Sequence, residues 1–499
     1  MRTTARTTAR TIAHALSISI ALAAAGHARA GGDPNEPVVP GELIVRADAP
    51  ATLAAALAAL DVDFANVAVI DQIAGRPIYL VSYALTATQT PGDVSAVIDD
   101  LIATGTIPWG ELNYIGQTGE GKTDSLWLSG VGFGAQTFAN QYAVPLLGIE
   151  LAHERSRGAG VVVAVIDTGV DPLHPALGGR VSPAGASFVP GSASSGDIGD
   201  GIDNDGDGLV DEQVGHGTFV AGLVHLVAPE ATILPVRVLD SDGSAGTYQI
   251  ARALAWAIDR GAHIANMSLG ETYRSQALED VVGEAETRGI AVFGAAGNSN
   301  TDDPREFPAC DGAATGVSAL DWNDVKAPFS SFGIRIDLAA PGHTRLAKGA
   351  PDPTKSIVGP LPGGGYGAWM GTSFATAFTS GTAALVRAQH PEWPTKAVPA
   401  STIRARLTDT LATTGVAIDA TNPAFAGLLG SSRISALGAV EAGPIAPPLG
   451  DLDLDGDVTA ADLSLLLEAW GPAPGGHRAD LDASGDVGAA DLSLLLYAW

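Results

Sequence analysis

Six consecutive apolar residues, Val161-Val162-Val163-Ala164-Val165-Ile166, constrain the fold of this chain more than any other feature. A half-buried strand alternates apolar with polar residues. An unbroken apolar run instead needs cover on both faces, which helices flanking a parallel sheet supply. The theme returns at residues 233–239, 263–267 and 290–293, with helix-patterned stretches at 249–258 and 277–288 between them. The expectation is an α/β domain over residues 141–442, with a doubly wound, mainly parallel sheet. Sites in such sheets form outside the C-terminal strand ends, and Asp167 follows the apolar run directly.

At 499 residues the chain exceeds one ordinary core, and its flanks read as separate units. The first 30 residues carry Arg2, Arg6, Arg10 and Arg29, no acidic residue, an apolar stretch over 12–25 and an Ala28-Arg29-Ala30 exit. That pattern predicts a secretory signal peptide cleaved after Ala30. The stretch is too short for an anchor and is interrupted by His14, Ser17 and Ser19. Residues 31–140 read as a small α+β domain and linker, with strands at 41–45 and 78–81, helices at 51–60 and 94–101, and a linker over 116–134. Pro444, Pro447 and Pro448 mark a break before a tail, 443–499, that repeats itself after 29 residues. Each copy is an Asp-rich loop followed by an amphipathic helix, so a small α-helical module is expected there.

Lys and Arg number 27 against 55 Asp and Glu, a net charge of −28, which argues against nucleic-acid and anionic-lipid partners and for cations. No later run is apolar enough to span a bilayer. Cys310 is the single cysteine, so no internal disulfide can form, and it reads as a small buried hydrophobe. A secreted chain without disulfides needs another staple, and bound metal is a common one.

Three segments carry the chemistry. Nucleophilic serine catalysis needs a hydroxyl, a base, a carboxylate to orient the base, and donors for the oxyanion. Asp167 lies in Val-Ile-Asp167-Thr-Gly-Val, His216 in Gly215-His216-Gly217-Thr218, and Ser373 in Gly371-Thr372-Ser373-Phe374-Ala375 at the start of a helix rich in small residues. Each segment alone is common; the three in this chain order resemble the signature blocks of the subtilisin family of serine proteases. The resemblance covers roughly 140–442 and implies a subtilisin-like fold and a secreted serine endopeptidase acting on protein or peptide substrates through an acyl-enzyme on Ser373. It also implies Asn298, in Ala-Ala-Gly297-Asn298, as an oxyanion donor beside the Ser373 amide. The same resemblance makes Ser244, Ala245 and Gly246, with Ser268, Leu269 and Gly270, the two walls of an extended substrate cleft. Two departures stand out: Phe374 and Ala377 replace the family's usual Met and Pro, and Asp167 and His216 are an unusually long 49 residues apart.

The extra length holds Asp203, Asp205, Asp207, Gly208, Leu209 and Asp211 in the order of the first half of an EF-hand loop, with Asp211 or Glu212 replacing the bidentate Glu that position 12, Val214, lacks. The expectation is structural Ca²⁺ there, and no organic cofactor. Residues 31–140 resemble the inhibitory propeptides of subtilisin-like proteases. The tail repeats resemble dockerin repeats, which use EF-hand-like calcium loops and bind cohesin domains. By that likeness the ligands are Asp451, Asp453, Asp455 and Asp462 in one loop and Asp480, Asp482, Ser484 and Asp491 in the other, with a cohesin-like partner and attachment to a cell surface as implied outcomes. Readings that compete are a catalytically silent binding protein, a calcium-dependent adhesion protein, and an esterase using the same three residues.

Overall fold

A computed structural model describes residues 35–122, 128–129, 132–302, 306–347, 350–396, 398–442 and, in the tail, 452, 458, 460–472, 479–482, 484 and 486–498. The expected signal peptide and the loop residues Asp451, Asp453 and Asp455 lie outside these. The chain divides into two compact units, the first ending at Tyr114.

In the first unit, β1 (Val38–Arg46), α1 (Pro50–Asp63), β2 (Ala65–Gln72), β3 (Ile78–Ala84), α2 (Pro91–Ala103) and β4 (Trp109–Gln117) follow one another, the last three residues of β4 already belonging to the second unit. Its strands lie in the order β2-β3-β1-β4, all antiparallel. Ala56 and Leu60 of α1, with Val94, Ile98 and Leu101 of α2, are buried. Pro at the first turn starts both helices, where its missing N–H costs nothing. The sequence reading missed β2, whose residues are mostly exposed, and β4.

The second unit is built on a seven-stranded parallel sheet. Its strands are β5 (Val162–Asp167), β6 (Thr232–Arg237), β8 (Ile264–Met267), β9 (Ala291–Ala295), β10 (Thr315–Leu320), β11 (Leu338–Pro341) and the short Ala186–Ser187, while β7 (Ser244–Gly246) stands outside the sheet. The order is β11-β10-β9-β8-β5-β6 and then Ala186–Ser187, so β5 is an interior strand. The connection after β5 leads to β6 on one side, and β8 then pairs on the other. That reversal opens a crevice at the C-terminal end of β5. Five of the six β5 residues are fully buried, as an unbroken Val/Ala/Ile run requires.

Helix α3 (His216–Val227) packs against α6 (Thr372–Gln389), and α4 (Thr247–Asp259) against α5 (Gln276–Thr287). Almost all of α6 is buried although it is rich in Ser and Thr. Its hydroxyls find partners: Thr376, Thr379 and Thr382 each donate to the helix carbonyl four residues earlier at 2.9 Å, and Ser380 donates to Asn266 of β8. Close contact between α3 and its neighbours depends on missing Cβ atoms; one on Gly222 would fall 2.2 Å from Pro360. Strands β12 (Ile357–Leu361) and β13 (Gly365–Trp369) pair antiparallel beside them, and α7 (Ile403–Thr413) and α8 (Ala436–Glu441) complete this body.

In the tail, α9 (Ala460–Glu468) and α10 (Ala489–Ala498) contact each other around Leu466 and Leu495, with Leu452, Ala479 and Val487 also buried. Trp470 remains 49% exposed. Among the described residues no helix is long and apolar enough to cross a membrane.

Candidate active site

His216 opens α3, and the turn into it needs glycine on both sides. Gly215 sits at φ 103°, and a Cβ on Gly217 would fall 2.1 Å from the Gly169 carbonyl. This delivers the imidazole to the end of β5, where its Nδ1 lies 2.7 Å from Asp167 Oδ1. The Trp369 and Phe374 rings wall the imidazole, with centroids at 5.5 and 5.6 Å. Phe374, which departs from the family pattern, thus packs on His216 itself and on Phe219.

A second carboxylate, absent from the sequence reading, braces this arrangement. Asp197 is buried and accepts from Thr168 Oγ1 (3.2 Å) and Gly215 N (2.9 Å) through one oxygen, and from Thr218 N (3.0 Å) and Oγ1 (2.6 Å) through the other. It caps the first turn of α3 and ties it to the residue after Asp167. Burial pushes its carboxyl up, against the pull of these donors.

Ser373 stands in the first turn of α6, and its Oγ reaches the Ser268 carbonyl at 3.2 Å. Asn298 follows β9, and its Oδ1 accepts from Thr372 N (2.9 Å) and Thr372 Oγ1 (3.0 Å). With its oxygen held in this way, the Asn298 amide must turn Nδ2 toward the site. Thr372 Oγ1 also accepts from Gly297 N, locking the loop to the helix.

At the centre of the group lies Glu120, a buried residue that the sequence reading placed in a linker. Its Oε2 accepts from Ser373 Oγ at 2.8 Å and lies 3.3 Å from His216 Nε2, while Oε1 accepts from Asn298 Nδ2 at 3.1 Å. Burial disfavours the imidazolium, but the Asp167 and Glu120 charges outweigh it and raise His216 to about 10. Nothing in Gly119-Glu120-Gly121 signals this role, because it arises from contacts with His216, Asn298 and Ser373, all distant in sequence.

The expected cleft walls hold a strand. Ile115, Gly116 and Gln117 at the end of β4 pair antiparallel with Gly246, Ala245 and Ser244 of β7. On the other side Gln117 exchanges two backbone hydrogen bonds with Gly270, at 3.0 and 2.9 Å, and Thr118 N donates to the Gly243 carbonyl. The linker expected over 116–134 therefore begins as strand: β7 and Gly270 supply partners that no local propensity encodes.

In the acidic loop, ligand atoms of Asp203, Asp205 and Asp207 lie within 4.8 Å of one another, and so do those of Asp205, Glu212 and Asp242. Gly208 takes φ 94°, the left-handed turn expected of it. Asp211 turns away from this group, accepting from Asp200 N and Gly201 N, while the side chain of Leu209 is exposed. Asp242, also missed in the sequence, accepts from Asn204 N and Asp211 N and so ties the loop to the segment before β7. Burial and the neighbouring Asp242 and Asp205 charges push Glu212 up to about 7, and its Oε2 is buried without a hydrogen-bond partner, so the set fits a cation. In the tail, Asp480, Asp482 and Asp491 group in the same way. Asp491 accepts from Asp482 N and Gly488 N, Asp462 accepts from Leu452 N, and Ser484 bonds back to Asp480.

Comparison with known proteins gives these features a common setting. Residues 158–430 match the Subtilase family. Subtilisin BL and Subtilisin Savinase of Lederbergia lenta are each 38% identical over 252 residues, covering 48% of this chain and 82% of theirs. Among solved structures, fervidolysin from Fervidobacterium pennivorans, a keratinolytic enzyme related to subtilisin, superposes with a TM-score of 0.63 at 20% identity, over 84% of this chain and 63% of its own. A protease from Pseudoalteromonas arctica PAMC 21717 gives 0.52 at 26% identity, over 61% and 97%. A central parallel sheet, with Asp167, His216 and Ser373 gathered at its C-terminal edge, accompanies a match over more than half the chain. This chain belongs to the subtilase family and is a subtilisin-like serine peptidase.

Proposed function

We propose that the chain is a secreted, calcium-stabilised endopeptidase whose nucleophile is Ser373. His216 Nε2 takes the Ser373 proton as Oγ attacks the scissile carbonyl, and Asp167 holds the imidazole in the tautomer that permits this. Negative charge developing on the carbonyl oxygen is met by Asn298 Nδ2 and the Ser373 amide. His216 then protonates the leaving amine, and water repeats the sequence to release the acyl group. The observation that carries this reading is the convergence of Ser373 Oγ, His216 Nε2 and Asn298 Nδ2 on one carboxylate within 3.3 Å. Residues 244–246 and 268–270 bind the substrate as an added strand, a mode the Ile115–Gln117 pairing already supports.

Residues 31–140 act as a propeptide, removed between 115 and 140. Structural Ca²⁺ is held by Asp203, Asp205 and Asp207 with Glu212 and Asp242, with the Leu209 carbonyl and Asp211 as further candidates. The Asp480, Asp482, Ser484 and Asp491 group, and its counterpart ending at Asp462, hold calcium in a dockerin-like module whose partner is a cohesin-like domain. Casein hydrolysis by the processed protein, compared with Ser373→Ala and with chelator, tests the core of this. Loss in both supports the reading; a folded, processed wild type without activity overturns it.

A further inference from the structure

The group of Ser373 and Asn298 proposed to receive a substrate carbonyl is filled by a side chain, Glu120. We propose that Glu120 is an intramolecular carboxylate inhibitor, which holds the unprocessed chain inactive by engaging the nucleophile, the base and the oxyanion donor together. This rests on Ser373 being the nucleophile and adds how that site is held off.

The approach to the site is a hydrogen-bonded strand as far as Thr118, with Gln117 doubly bonded to Gly270 and Thr118 to Gly243. The backbone then curls into a 3₁₀ turn, Gly119–Lys122, and the next side chain enters the cradle. A carboxylate suits it better than a carbonyl does. It carries the full negative charge that Asn298 Nδ2 is placed to meet, and its second oxygen accepts the Ser373 hydroxyl.

The fit is built by two glycines. A Cβ on Gly371 would fall 1.6 Å from Glu120 Oε1, and a Cβ on Gly119 would fall 2.8 Å from Asn298 Nδ2. With Asp167 2.7 Å from one imidazole nitrogen and Glu120 3.3 Å from the other, two carboxylates favour the doubly protonated imidazole, a form with no lone pair to take a proton from Ser373. Glu120 is tethered two residues beyond the hydrogen-bonded Thr118, so it competes with free substrate at high effective concentration.

The test is the rate at which diisopropyl fluorophosphate labels Ser373 in the full-length chain, followed by mass spectrometry before processing. Wild type is compared with Glu120→Gln, Glu120→Ala and protein from which the N-terminal part has been removed. The variants are expected to label at least about tenfold faster than wild type, approaching the processed protein, since each loses a charge-assisted bond to the cradle. Glu120→Gln keeps the size of the side chain and decides the case in which Glu120→Ala fails to fold. Equal rates in the full-length wild type and Glu120→Gln, with processed wild type labelling readily, overturn the inference. Processed wild type that does not label at all overturns the nucleophile assignment instead, and the inference with it.

Discussion

Removing Asn298 tests its proposed oxyanion role against a role in substrate binding alone. Its Nδ2 is the side-chain donor facing the cradle, and its Oδ1 takes two bonds from Thr372. In Asn298→Ala the lost donor should lower kcat about 100- to 1000-fold, or about 2.7–4 kcal/mol, because the interaction matures only as charge develops. KM should move little, since the segments proposed to bind substrate, 244–246 and 268–270, are untouched. Two buried donors on Thr372 lose their acceptor, so a stability loss of about 1–3 kcal/mol accompanies the change and is read as a lower Tm. Thr372→Val keeps Nδ2 but removes one of the two bonds that aim it. A cost of about 1 kcal/mol, or about fivefold in kcat, is expected. The assay is steady-state hydrolysis of a chromogenic peptide by processed enzyme. A kcat for Asn298→Ala within about threefold of wild type, or a loss confined to KM, refutes the reasoning.

Other outcomes follow from packing, proton linkage and metal. Phe374→Ala empties the space between His216, Phe219 and Trp369, and should cost about 3–5 kcal/mol in a denaturant titration. His216 lies above its unfolded value, so the stability it contributes is present below about pH 6.5 and is lost as pH rises through about 10. Melting of the full-length Ser373→Ala chain should therefore fall across that window, and Glu120→Gln should shift the fall to lower pH. Chelator should lower both the Tm and the activity of the processed enzyme, and Asp205→Ala should reproduce part of the loss because Asp205 belongs to both carboxylate groups in the loop; unchanged melting would remove calcium from the account.

Features set by local pattern were readable from the sequence. The run at 161–166 became the interior strand β5 because its apolar residues favour a site covered on both faces. The Gly-His-Gly and Gly-Thr-Ser segments were legible because their glycines answer steric demands that recur wherever a helix must start against a strand. What the sequence hid depends on contacts across long separations. Glu120 sits in a glycine-flanked stretch with no periodicity, and its role exists only once β7 and Gly270 have fixed the register of Gln117. Asp197 and Asp242 look like any acidic loop residue until α3 and the acidic loop close over them. Strands β10 and β11 went unread because Gly316 and Pro341 interrupt short runs that only their parallel neighbours stabilise.

The central claim is that Ser373 forms the covalent intermediate. The most direct measurement is an acid-quenched burst with a peptide ester, followed by mapping of the acyl group on the digested chain. The account predicts about one acyl group per processed molecule, located on Ser373 and absent from Ser373→Ala. Turnover without a covalent adduct, or an adduct on another residue, would contradict it.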